Sequence, residues 1–171
     1  MNGRILIACV GNIFLGDDAF GVEVAQRLSG ISLPNNVSVT DFGIRSFDLA
    51  YALMEPWDLA ILVDAVPQGG EPGTVYVIEP DISATADEEA QDAAMEATFD
   101  AHTMNPTNVL QLVSALGGHC PQMLVVGCEP ANVEPRDDGQ FALSDAVRAA
   151  VDEAINAIKE ILAGCSHATA A

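Results

Sequence analysis

Two short runs without a polar side chain, Ile5–Val10 and Leu59–Val63, constrain this chain most. Each is too short for an ordinary buried helix and shows no alternation of apolar and polar positions. Each therefore reads as a strand covered on both faces, as parallel strands are. Such strands need helices between them, and the intervening segments have helical periodicity. Phe20, Val24 and Leu28 recur at i, i+4 and i+8, predicting a helix over Ala19–Leu28. Leu49 and Leu53 predict another over Phe47–Met54, with Ser46 placed to cap it. Val37–Thr40, Thr74–Ile78 and Gln122–Val126 read as further strands, and Thr107–Leu116 as a helix burying Val109, Leu110 and Val113. Val147, Val151, Ile155, Ile158 and Leu162 give a long helix over Leu143–Leu162, with Gly164 as its stop. The order β-α-β-α-β-β-α-β-α predicts an α/β three-layer sandwich. Its mostly parallel, twisted sheet has about five strands, with helices on both faces.

The stretch joining the first strand to the first helix carries the most chemistry. Gly11-Asn12-Ile13-Phe14-Leu15-Gly16 has the G-x-x-x-x-G spacing of a phosphate loop, but Asp17-Asp18 follows where Lys and Ser/Thr are required. Two carboxylates repel a triphosphate. A dinucleotide fingerprint fails too, because Ile13 stands where its second glycine belongs. What remains is a glycine-bounded turn presenting acids at a strand end, suited to a metal ion or to acid–base work. Asp17 is placed to cap the following helix. Gly21 inside that helix costs roughly 1 kcal/mol relative to Ala, which implies close approach to a neighbouring backbone.

Composition excludes some partners. With 171 residues, one domain with a sizeable core is expected over 1–171. The net charge of −19, with only six Lys and Arg, argues against nucleic acid and anionic membranes. No apolar run approaches membrane-spanning length. Cys9, Cys120, Cys128 and Cys165 include no C-x-x-C pair and read as buried thiols of a reducing, cytoplasmic compartment. Residues 81–100 are rich in acid, Ala and Thr and read as a mobile acidic insertion. Residues 164–171 read as a frayed tail.

Ligands of open α/β sheets sit beyond the carboxyl ends of the strands. Asp18 follows the first strand, Asp64 ends the third, and His102 precedes the helix starting near Thr107. Two carboxylates and an imidazole suit a divalent ion such as nickel or zinc with positions left open. Glu129, ending the last strand, is a supporting candidate. His119 and His167 have no partners that would give them a role. There is no G-x-S-x-G, no H-E-x-x-H and no Cys/His pair to supply a nucleophile.

These residues resemble the nickel–iron hydrogenase maturation endopeptidases. The resemblance rests on G-N-I-F-L-G-D-D-A-F-G-V at Gly11–Val22, I-L-V-D-A at Ile61–Ala65 and D-A-H-x-M-x-P-x-x-V-L at Asp100–Leu110. V-G-C-E-P with V-E-P in Val126–Pro135 and L-S-x-x-V at Leu143–Val147 extend it. It implies a cytoplasmic endopeptidase that removes a C-terminal peptide from a hydrogenase large-subunit precursor after nickel insertion. It places the metal-contacting and catalytic positions on Asp18, Asp64 and His102. Nickel would come with the precursor, and zinc or cadmium can take the same positions in vitro. The alternative on the same ligands is a non-proteolytic nickel chaperone or checkpoint protein. The family often carries Gly-Thr-x-Gly after the second strand, where this chain has Gly43-Ile44-Arg45-Ser46. That departure bears on which hydrogenase is the partner. Asp17, Asp41 and Arg45 join Glu129 as candidates for supporting the site or touching the precursor.

Overall fold

The computed structural model describes residues 3–80, 106–134 and 142–167. Five strands form one sheet: β1 (Ile5–Val10), β2 (Val37–Gly43), β3 (Leu59–Ala65), β4 (Val75–Ile78) and β5 (Gln122–Cys128). The spatial order is β2-β1-β3-β5-β4. All neighbours run parallel except β4, which pairs antiparallel with β5. The helices are α1 (Phe20–Ser29), α2 (Ser46–Leu53), α3 (Pro106–Ala115) and α4 (Asp145–His167), with a 3-10 turn at Gly16–Ala19 before α1.

The central strands are apolar throughout because both faces are covered. Ile5, Ile7 and Cys9 of β1 point into a core shared with Phe20, Val24 and Leu28 of α1 and Val147, Val151 and Ile158 of α4. Leu6, Ala8 and Val10 point the other way, against Leu49 and Leu53 of α2 and Val109, Leu110 and Val113 of α3. This is the doubly wound arrangement, with β1 at its pivot. The chain leaves β1 toward β2 on one side and returns to β3 on the other. The crevice beyond the carboxyl ends of β1 and β3 is therefore the topological switch point, where such sheets bind ligands.

Gly21 explains how α1 reaches that point. A Cβ there would lie 2.1 Å from the Val10 carbonyl oxygen and 2.5 Å from that of Val63. The helix start rests directly on the ends of β1 and β3, which only a missing side chain allows.

Several boundaries differ from the sequence expectation. β3 runs through Asp64 to Ala65, and β2 through Asp41 to Gly43, because parallel pairing continues past the apolar residues. Neither α1 nor α2 has a side-chain cap: their N-caps are Ala19 and Arg45. Asp17 is turned away from α1 to other partners, and Ser46 is the first residue of α2 rather than its cap. Gly164 does not end the last helix, which continues to His167. Cys9 and Cys128 are buried as expected, but Cys165 is exposed. The acidic segment 81–100 and residues 168–171 lie outside the described residues.

Candidate active site at the β1–β3 switch point

Asp18 and Asp64 come together from positions 46 apart in the chain. Asp64 is 4% exposed, near the end of the central strand β3. The Ala65 N–H donates to its Oδ1 at 2.8 Å. Asp18, half-buried in the 3-10 turn, accepts from the Asn12 N–H through Oδ2 at 2.9 Å. The turn closes over the end of β1 because Gly11 adopts φ +152°, and a Cβ there would lie 2.0 Å from the Asp18 carbonyl oxygen. Glycine at that position keeps the first turn packed against the residue that carries the acid.

The two carboxylates interact. Burial, and then the negative charge of Asp18, hold the Asp64 carboxyl well above the usual carboxylate range; the Ala65 amide opposes this. A buried acid raised by a neighbouring acid has the electrostatics of a proton-accepting group or of a cation site. Among the described residues no group of three or more His, Cys, Asp or Glu gathers as a metal site. His102 lies outside the described residues, so the described part of the candidate triad is the Asp18–Asp64 pair.

The other candidates divide. Asp41 and Arg45 line a groove of about 390 Å³ that begins at Gly11-Asn12, the residue pair whose Asn12 N–H binds Asp18. Asp41 accepts from the Gly43 N–H, and Arg45 donates to the carbonyls of Phe42 and Asp41 while pairing with Asp48 at 3.6 Å. The guanidinium thus shapes its own turn.

Asp17 and Glu129 hold the loops that frame the site. Asp17 is 1% exposed. Its Oδ1 accepts from the Ser144 N–H at 2.6 Å, and its Oδ2 from Ala131 N–H, Asn132 N–H and the Ser144 hydroxyl at 2.8–3.0 Å. Its own N–H donates to Asn132 O. A charged carboxylate at the start of the long helix α4 is also favoured by the helix dipole. Asp17 thereby ties the turn carrying Asp18 to the β5–α4 connection. Asp17→Asn should cost roughly 2–4 kcal/mol, because its amide sets a donor against at least one of these N–H groups. Urea denaturation measures this, and an unchanged midpoint would contradict the tie.

Glu129 accepts from Gln68 N–H at 2.7 Å, Gly69 N–H at 3.2 Å and the Tyr76 hydroxyl at 3.0 Å. Those bonds, the Gln68 amide foremost, hold its carboxyl below the usual range, while burial, and then the bond to Glu129, lift the Tyr76 hydroxyl. The loop that follows Asp64 is anchored in this way. The bonds of Tyr76 to Glu129 and of Ser144 to Asp17 are not legible in the sequence, because nothing in the local pattern shows partners 53 and 127 residues away.

The two thiols of the sheet, Cys9 and Cys128, are poor nucleophiles. Burial, and then Asp41, push the Cys9 thiol up to about 12; burial, Asp17 and Glu129 do the same to Cys128.

A family profile for hydrogenase maturation proteases matches residues 22–161. The chain is 34% identical over 158 residues to a candidate hydrogenase maturation protease of Methanocaldococcus jannaschii, covering 90% of this chain and 93% of that one. It is similar to the crystal structure of a hydrogenase 2 maturation peptidase from a Thaumarchaeota archaeon, with TM-score 0.64, 28% identity and coverage of 93% and 97%. The Escherichia coli hydrogenase maturating endopeptidase shares the fold at TM-score 0.69 and 24% identity, over 94% and 93% of the two chains. This chain belongs to the hydrogenase maturation protease family.

Proposed function

We propose that the Asp18–Asp64 pair is where this hydrogenase maturation protease receives its substrate's metal-bearing end and promotes cleavage. The family's role is C-terminal processing of a hydrogenase large-subunit precursor, and the chain is accordingly a peptide-bond hydrolase. The observation that carries the reading is the buried acid Asp64, kept well above the carboxylate range by burial and by Asp18. Such a pair gains from a divalent cation, which relieves the repulsion of both charges. It also supplies a carboxylate able to take a proton from water as the water attacks the scissile carbonyl, and to return it to the leaving amine.

Two oxygen-donor side chains fit a divalent ion, and nickel here is cargo carried in by the precursor. When bound, the ion polarises the scissile carbonyl. His102, by the resemblance, joins the two acids. Zinc or cadmium would compete for the same acids in vitro. Support for a cytoplasmic setting comes from the free thiols of Cys9, Cys120 and Cys128. No helix of the described residues is long and apolar enough to cross a membrane. The net charge of −19 opposes nucleic-acid binding.

The test compares nickel-loaded and nickel-free forms of one hydrogenase precursor. Trimming of the loaded form alone is the expected result. Equal trimming of both would remove the metal from the reading. A tight complex of loaded precursor with no product would favour the chaperone.

A further inference from the structure

Seven large apolar side chains are exposed among the described residues, and four sit on loops at the carboxyl ends of the strands: Ile13 47%, Phe14 56%, Ile44 47% and Val133 45%. Asn12 to Leu15 is a β-turn closed by the Leu15 N–H on Asn12 O, so Ile13 and Phe14 occupy its two central positions. Those positions normally take turn formers and polar residues. The Asn12 Oδ1 also accepts from the Phe14 N–H, fixing the turn. Ile44 lies at the matching tip of the turn closed by Arg45 N–H on Phe42 O. At Val133 the bond is instead to a side chain, the Glu134 N–H donating to Asn132 Oδ1. Each apolar tip is thus presented by a hydrogen-bonded loop.

Their arrangement follows from the sheet order. Ile44 stands beyond β2, Ile13 and Phe14 beyond β1, and Val133 beyond β5, with Asp64 at the end of β3 between them. The groove of about 390 Å³ lies between the first two, walled by Ile13, Phe14, Phe42 and Ile44. Near these tips stand the acids Asp18, Asp41, Asp64 and Glu134, and the cation that lines the groove, Arg45, is engaged with Asp48 and its own turn.

We infer that these apolar tips form a docking rim that grips the precursor on either side of its cleavage site and sets its apparent affinity. The occupant is a segment with apolar residues flanking a positively charged centre. An acidic centre ringed by exposed apolar groups complements that chemistry. A second copy of this chain would instead bring another acidic site against the first, at a net charge of −19 each. The inference rests on the function proposed above, and it adds binding residues that take no part in the chemical step.

The test uses the full-length protein and nickel-loaded precursor with Phe14→Ser, Ile13→Ser and Val133→Ser. Val77→Ser, an exposed apolar position on β4 away from the rim, is the control. The rim variants should raise KM, by about tenfold for Phe14→Ser, with kcat within about twofold of the unsubstituted protein. The control should change neither. Unaltered KM in all three rim variants overturns the rim. Should the unsubstituted protein cut no precursor, binding measured by calorimetry on the same samples still decides. Weaker binding by the rim variants alone keeps the rim while sinking the peptidase, and equal binding sinks both.

Discussion

Asp64→Asn is expected to lose about 10²–10⁴-fold in the rate of precursor cleavage while making the folded protein more stable. Both effects have one cause. The Asp64 carboxyl is buried beside Asp18 and held well above its ordinary range. In the unfolded chain the same group titrates near 3.9. Between that value and the raised folded one, the native state binds the additional proton. Stability contributed by this group therefore falls as pH rises through that window, and Asp64 is a net cost at neutral pH in the metal-free protein. Asparagine keeps the shape and an oxygen for the Ala65 N–H, but cannot ionise. Each kcal/mol recovered should raise Tm by roughly 2–4 °C for a chain of this size. The stability difference between Asp64→Asn and the unsubstituted protein should shrink on acidification toward pH 4. Calorimetry at two pH values measures this. A variant less stable at neutral pH would show that Asp64 is held by compensating interactions rather than strained.

Gly21→Ala should be strongly damaging for so small a change. Helix propensity alone favours Ala by roughly 1 kcal/mol. The added methyl, however, would sit 2.1 Å from Val10 O and 2.5 Å from Val63 O. Those atoms belong to the backbones of two central strands and cannot turn aside as a side-chain end can. The helix must move outward, carrying the turn that holds Asp18, so a loss of about 3 kcal/mol or more is expected. Cleavage by the folded fraction should fall as well, because Val63 directly precedes Asp64. Guanidinium denaturation with rate measurements on the same samples tests both parts. A raised midpoint would mean that the helix is not seated on these strands.

The interior was more legible than the frame of the site. Fully apolar runs such as Ile5–Val10 marked β1 and β3, and helical periodicity marked the face of α1 that meets the sheet. The oddity of Gly21 in that helix pointed to the close approach found there. Asp64 stands out because it closes a fully apolar strand, and Asp18 because the glycine-bounded turn before it lacks the residues of a phosphate loop. What escaped was set by tertiary contacts. Asp17 was expected to cap α1, yet the same carboxylate serves Ala131, Asn132 and Ser144, more than a hundred residues on. Helix α4 continues through Gly164 to His167, past the residue expected to stop it. The Ile13–Phe14 tip was hidden by its neighbours: the turn drew notice for its glycines and acids, while apolar residues ordinarily signal core. Only exposure reveals them as surface.

The most direct test of the account is the intact mass of a cognate nickel-loaded large-subunit precursor before and after incubation with this protein. The account predicts the loss of one discrete C-terminal peptide, and at most a trace of that loss with Asp64→Asn over the same short incubation. An unchanged mass with the unsubstituted protein would contradict the peptidase. Full cleavage by Asp64→Asn would leave the peptidase standing and contradict the site.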